Sequence, residues 1–475
     1  MMRRLVAAAL ALLGANAAFA ARPNAPAAPA PIVVERPYDV QAVEAAPSGS
    51  AWEGCAFVLE GPNERMAERS LAAVCRGVTA GSAPELRPLV SGLVGARALA
   101  ADPLGGGRVR LLIGVVGGVR TFLFGAPGDP PVEAAPMSDA RLDPASLADR
   151  PDLDGDGTRD LLQATWEGLA AWRWTGDGFA PLASAALPRR AAAAGGEVSV
   201  WSPFVIAEDE APIPRWTRPA GWTGERLRVE RIDLGPQGAG PACSAWIAPG
   251  SRVQIAAAAI LRGERPRLVA LVEPAERIAL LGERRLLVAP LTCRASGRGE
   301  PPSLLLDTPL ANYFANATLL VRDATGDGLQ DVVAVGISGR LKPDLEVLVW
   351  PGEVGGGLAR RPLRWSRKAA SMGGTWSFAE DVDGDGLPDL VRREEQTLWV
   401  ARGLRPGPGR VPLETTPSFI GSLPKEYATA GFLGRLRPRA AAPGEPAWLL
   451  FSAQRAGTVA GASDHALIVV PVPVR

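Results

Sequence analysis

The chain has 475 residues, of which 47% are hydrophobic and 21% charged, with 51 basic side chains against 50 acidic ones. That balance excludes a disordered polyelectrolyte, and the scattered charge offers no basic stripe for nucleic acid. The length suits either three compact domains or one large repeat architecture.

The N-terminus carries an export signature. Arg3 and Arg4 precede the apolar run of residues 5–13, and Ala18-Phe19-Ala20 has the small-x-small form of a cleavage site. Residues 1–20 are therefore expected to be a signal peptide. The apolar run is too short to span a bilayer, and no cysteine near the cut suggests a lipid anchor. No later segment is apolar enough to cross a membrane, so the mature chain is expected in the periplasm or secreted. Residues 21–50, rich in proline and alanine, read as a linker. Folded structure is expected from near Trp52, with residues 51–94 as an N-terminal extension able to supply strands to an eighth blade or to close the ring. Within it, residues 63–76 (NERMAERSLAAVCR) have the composition of a helix. The four cysteines, Cys55, Cys75, Cys243 and Cys293, have no CxxC spacing. In an oxidising compartment they suggest disulfides, and the pairings that close local loops are Cys55–Cys75 and Cys243–Cys293.

From residue 95 to 475 the chain repeats itself. DLDGDGTRDLL begins at Asp152, DATGDGLQDVV at Asp323 and DVDGDGLPDLV at Asp381. Each is followed by a short apolar run, a turn and a second run that often carries tryptophan. Eroded copies begin near 102, where one aspartate (Asp102) is left, and near 260 and 433; spacing places a further one near 206. Seven units of roughly 50–60 residues result, each with short runs bounded by glycine and proline. The expected fold is all-β, a β-propeller of seven four-stranded antiparallel blades. Trp172, Trp350 and Trp399 are expected to pack between sheets. The eroded copies suggest that some blades have exchanged metal for hydrophobic packing.

The aspartate loops carry the chemistry. Alternate carboxylates on a tight, glycine-bearing turn converge on one centre, and calcium takes six to eight oxygen ligands. The first loop offers Asp152, Asp154, Asp156, Asp160 and the Thr158 carbonyl. The second offers Asp323, Thr325, Asp327, Asp331 and the Leu329 carbonyl, with one carboxylate fewer. The third offers Asp381, Asp383, Asp385, Asp389 and the Leu387 carbonyl. An EF-hand needs glutamate at the twelfth position, where Gln163, Ala334 and Arg392 stand. Carboxylates about 5 Å apart repel by roughly 3 kcal/mol per pair at an effective dielectric near 20, so plain acidic turns would be strained. Up to three structural calcium ions are expected.

These loops, with the strand pattern behind them, resemble FG-GAP/VCBS repeats, the blade type also seen in the propeller of integrin α chains. The resemblance is clear for three units and weaker for three more. It implies a calcium-bearing propeller acting as an extracellular binding, adhesion or scaffold module with a protein or glycan ligand.

No catalytic set stands out. The chain has one histidine, His465, at the start of the expected final strand, which excludes a multi-histidine zinc site. The glycine runs at 105–107 and 355–357 lack a following helix. The alternative from another class is a carbohydrate-active lyase or hydrolase working in the propeller funnel, which would need acids, arginines and tryptophans at one mouth.

Overall fold

The computed structural model describes residues 29–77, 84–139, 147, 150, 152, 154–164, 168–186, 206–208, 215–223, 226–235, 238–248, 253–262, 266–274, 284–291, 303–310, 314–339, 342–369, 375–405, 412–436, 445–455 and 464–473. The signal peptide and Cys293, and with it the Cys243–Cys293 pairing, lie outside them.

The protein is all-β, built of antiparallel sheets, and no α-helix occurs among the described residues. β1 (Ile32–Arg36) comes first. Sheet I holds β2 (Val40–Ala45), β3 (Cys55–Glu60), β4 (Glu68–Cys75) and β5 (Glu85–Val94). Sheet II holds β6 (Ala98–Pro103), β7 (Val109–Val115) and β8 (Gly118–Phe124), with β9 (Val132–Glu133) and β10 (Met137–Ser138) on its outer edge. Sheet III holds β11 (Leu161–Ala164), β12 (Gly168–Trp174) and β13 (Phe179–Ala186). Sheet IV holds β14 (Ile206–Glu208), β15 (Arg215–Thr223), β16 (Arg226–Gly235) and β17 (Gly238–Ile247). Sheet V holds β18 (Val253–Leu261), β19 (Arg267–Pro274), β20 (Arg285–Pro290) and β21 (Leu306–Pro309). Sheet VI holds β22 (Phe314–Arg322), β23 (Asp331–Ser338), β24 (Asp344–Trp350) and β27 (Leu363–Lys368), and the hairpin β25 (Gly352–Glu353) and β26 (Gly357–Leu358) stands apart from it. Sheet VII holds β28 (Thr375–Glu380), β29 (Asp389–Glu394), β30 (Thr397–Ala401) and β31 (Phe419–Ser422). Sheet VIII holds β32 (Tyr427–Leu436), β33 (Ala447–Arg455) and β34 (His465–Val472), and β1 completes it by pairing with β34.

Each unit read from the sequence is a sheet, including the one placed near 206 only by spacing. There are eight principal sheets among the described residues rather than seven, because β2–β5 make a full sheet of their own. Residues 32–45, read as linker, contribute β1 and β2. The helix expected at 63–76 is absent. Glu68–Cys75 is a strand held between β3 and β5, where burial of Leu71, Ala73 and Val74 outweighs local helix propensity.

A sheet alone leaves its apolar faces in water, so they must be covered by neighbouring sheets. Phe57 and Leu59 of sheet I pack with Leu111 and Phe122 of sheet II, and Leu112 and Met137 of sheet II with Leu161 and Trp172 of sheet III. β13 touches β17, joining sheets III and IV. Val229 packs with Leu268, Val269 with Trp350, Val347 with Trp399, and Val400 with Leu449, joining sheets IV through VIII in turn. Val58 and Val74 of sheet I then meet Leu450 and Leu467 of sheet VIII. The succession of neighbours returns to its start. Trp172, Trp350 and Trp399 are buried at these seams, as expected. The first strands also touch across sheets: β2 with β6 and β32, β18 with β14 and β22, and β28 with β32.

Cys55 and Cys75 sit opposite each other on β3 and β4 and are disulfide-bonded. His465 pairs with Arg36 and Gln454 as an ordinary strand residue. No helix among the described residues is long and apolar enough to cross a membrane.

Candidate metal centres

Two of the aspartate loops connect the first strand of a sheet to its second: residues 323–331 join β22 to β23, and 381–389 join β28 to β29. Residues 152–160 lead into β11. All three are built alike. The first carboxylate takes two backbone N–H groups across the turn. Asp152 accepts from Gly155 at 2.8 Å and Gly157 at 2.9 Å, Asp323 from Gly326 at 2.6 Å and Gly328 at 2.9 Å, and Asp381 from Gly384 at 2.7 Å and Gly386 at 3.3 Å. Both glycines of each pair have φ between 72° and 89°, which a side chain would strain. The fifth-position carboxylate accepts from the seventh-position N–H: Asp156 from Thr158 at 2.7 Å, Asp327 from Leu329 at 2.8 Å, and Asp385 from Leu387 at 2.8 Å.

Three carboxylates converge in the first and third loops. Oxygens of Asp152, Asp154 and Asp156 lie within 4.8 Å of one another, as do those of Asp381, Asp383 and Asp385. In the second loop Thr325 takes the place of a carboxylate between Asp323 and Asp327.

The ninth-position aspartates have a second task that spacing alone did not reveal. Asp160, Asp331 and Asp389 are fully buried. Asp331 accepts from Ala324 N–H at 2.8 Å and Gly352 N–H at 2.7 Å, and Asp389 from Val382 N–H at 2.5 Å and Gly403 N–H at 2.8 Å. Asp160 accepts from Trp174 N–H at 2.8 Å. Each clamps its loop to the end of the sheet's next hairpin strand. Burial, reinforced by Asp383 and Asp385, pushes the Asp389 carboxyl up to about 7 despite its two N–H donors. Burial raises Asp331 in the same way, and the more exposed Asp385 is raised by partial desolvation and by its neighbours Asp383 and Asp381.

The donor set fits a hard cation. In the third loop the Asp383 side chain is 8% exposed, and its Oδ1 is buried without a hydrogen-bond partner. A carboxylate oxygen in that state costs free energy unless a positive charge meets it. Its Oδ2 lies 3.3 Å from Arg402 Nε, so one arginine already offsets part of the charge.

The loops also touch neighbouring sheets. Arg402 Nη2 donates to the Pro473 carbonyl beyond β34 at 2.8 Å. Arg262 N–H, after β18, donates to Gln330 Oε1 in the second loop at 2.7 Å. Arg110 on β7 donates to the Arg159 carbonyl in the first loop. Arg110 marks what became of the eroded loop in sheet II. It is fully buried, donates to Asp102 at 2.9 Å and stacks on Trp174 at 4.7 Å. An internal cation, rather than the plain apolar packing expected, answers the one remaining acid there.

No family model and no curated protein matches the chain. Among solved structures, the polysaccharide lyase Uly1 aligns with a TM-score of 0.36 at 10% identity, over 91% of this chain and 90% of that one. Prolyl oligopeptidase B from Galerina marginata aligns with a TM-score of 0.38 at 8% identity, over 90% of this chain and 56% of that one. Likenesses at this level carry no argument about ligand or activity.

Proposed function

We propose that the eight sheets are the blades of one β-propeller of the FG-GAP/VCBS kind, exported from the cytoplasm, stabilised by calcium in its aspartate loops and serving as a binding or scaffold module. The returning succession of packed sheets supports the propeller, as does the completion of sheet VIII by the N-terminal β1. Contacts between first strands suit an arrangement in which those strands line a central axis. The Cys55–Cys75 disulfide suits an oxidising compartment.

The observation that carries the metal reading is the buried, unpartnered Asp383 Oδ1 within a three-carboxylate cluster whose backbone cradle recurs in two other loops. Asp152, Asp154 and Asp156 would hold one ion, Asp381, Asp383 and Asp385 another, and Asp323 and Asp327 with Thr325 a weaker third. Calcium in these loops would neutralise carboxylates that otherwise repel one another. Because the loops contact adjacent sheets, ordering them holds blade against blade rather than acting within one blade alone.

The test is thermal unfolding of the mature chain in excess calcium and in EGTA, beside a variant carrying Asp154→Ala and Asp383→Ala. A site held at 100 times its dissociation constant adds about 2.7 kcal/mol. The wild type should melt several degrees higher in calcium, and the variant should lose most of that rise. Equal melting in both buffers would reject the metal reading.

A further inference from the structure

The second and third aspartate loops are in contact with one another. A Cβ placed at Gly326 would lie 2.8 Å from Leu387 Cδ2, so the Leu387 side chain of the third loop is seated on the backbone of the second. The same side chain is closed in by Gly403, where a Cβ would lie 2.7 Å from Leu387 Cβ, and Leu387 is only 3% exposed. Gly326 is the fourth residue of its loop. At the fourth residues of the other two loops, Gly155 and Gly384, that space is open among the described residues. The contact therefore belongs to the junction of sheets VI and VII and does not come with the loop motif itself.

Both partners are parts of the cradles. Gly326 stands between Thr325 and Asp327, and its N–H donates to Asp323 at 2.6 Å. The Leu387 N–H donates to Asp385 at 2.8 Å, and its carbonyl is the backbone oxygen expected to complete the third loop. That loop also holds the buried, unpartnered Asp383 Oδ1. With N–H and carbonyl both committed, Leu387 can no longer turn, and its side chain is fixed against Gly326. Close-packed groups do not deform independently, so the restraint passes to the second loop. Arg405 adds an electrostatic link: a Cβ at Gly326 would lie 3.6 Å from its Cγ and Nε, and its charge acts on Asp385.

We propose that the second and third loops take up calcium as a coupled pair, occupation of the third tightening the second through the Leu387–Gly326 contact, while the first loop fills independently. This rests on the metal reading of the loops. The coupling is positive because ordering one loop removes part of the conformational freedom that the other would lose on binding. Repulsion between the two ions opposes it only weakly, since each loop brings its own carboxylates and salt screens the exposed side. The effect is reciprocal, so the second loop favours the third by the same factor. It supplies the second loop, which has one carboxylate fewer, with affinity that its own donors lack.

Flow dialysis of radioactive calcium against the full mature chain tests the pairing. Asp154→Ala disables the first loop and leaves two sites, the weaker being the second loop beside a filled third. Asp154→Ala combined with Asp383→Ala leaves the second loop beside a disabled third, and its dissociation constant should rise about fivefold or more. Leu387→Ala in the Asp154→Ala background keeps every carboxylate and the carbonyl; it should leave the third loop binding and weaken the second by a similar factor. If that buried substitution prevents folding, the Asp383→Ala comparison stands alone. Between the wild type and Asp154→Ala the second-loop constant should not change. No saturable calcium in any loop would reject the metal reading and the coupling with it. Saturable binding with a second-loop constant that is equal or lower when the third loop is disabled would overturn the coupling alone, as would a second-loop constant that responds equally to Asp154→Ala.

Discussion

Asp385→Asn isolates the electrostatics of the third loop. The amide keeps an oxygen for the Leu387 N–H at 2.8 Å, so the turn should survive. What changes is one charge beside Asp381 and Asp383, whose oxygens lie within 4.8 Å. Asp385 is on the exposed side of the loop, so its repulsions belong near the bulk-water limit, about 1 kcal/mol for each of the two pairs. In EGTA the variant should therefore be more stable than the wild type by about 1–2 kcal/mol. In calcium that advantage should largely disappear. If loss of the carboxylate weakens the site tenfold, stabilisation at an initial 100-fold saturation falls from about 2.7 to about 1.4 kcal/mol. Calcium should thus stabilise the variant less than the wild type, and the two unfolding curves, separated in EGTA, should converge in calcium. Denaturant titrations of both proteins in both buffers measure this directly. A change of the same sign and size in EGTA and in calcium would refute the reasoning, because it would show that the charge plays no part.

Reducing Cys55–Cys75, which spans 20 residues, should cost about 3 kcal/mol of stability, read from unfolding with and without a phosphine reductant; an unchanged curve would mean that sheet I does not depend on the bond. Asp389, pushed up to about 7 from an ordinary 3.8, holds in the folded chain a proton that the unfolded chain gives up earlier. Its contribution to metal-free stability is therefore fully present below about pH 4 and lost as pH rises through about 7. In EGTA the stability difference between wild type and Asp389→Asn should shift against the wild type across that window, and a shift in its favour would contradict the assignment. Deleting residues 21–38 removes β1, with its pairing to β34 and the Arg36–Glu60 and Glu35–Arg455 ion pairs. The exposed β34 edge should lower the melting temperature and promote association seen by size-exclusion chromatography. A peptide of residues 29–38 should restore the monomer, and a truncated chain that melts and elutes like the full one would show that β1 closes nothing.

The strand units were legible because their signals are local: short β-branched or leucine-rich runs, tryptophans at seams, and glycine between aspartates. Even the sheet beginning at Ile206 followed from spacing alone. The features that escaped depend on distant partners. Ile32–Arg36 looks like linker because its partner, Ala466–Val469 with His465, lies at the other end of the chain. Counting Val40–Ala45 as linker left the extra sheet, which the reading of residues 51–94 allowed as an eighth blade, without its first strand. Residues 63–76 carry alanine, glutamate and leucine that favour a helix in isolation, but β3 and β5 on either side, and the bond to Cys55, hold Glu68–Cys75 extended. In the loops, spacing identified the converging carboxylates. It did not distinguish the ninth aspartate, whose clamp on Trp174, Gly352 or Gly403 requires knowing where the next hairpin strand ends. Nor did it show Arg402 beside Asp383.

The most direct measurement is equilibrium flow dialysis of radioactive calcium against the mature chain at pH 7.5. Two tight sites should be filled, in the loops of Asp152 and Asp381, with a weaker third at Asp323; Asp154→Ala and Asp383→Ala should each remove one tight site. Absence of saturable binding, or binding that these substitutions leave intact, would contradict the central claim that the aspartate loops are the protein's metal centres.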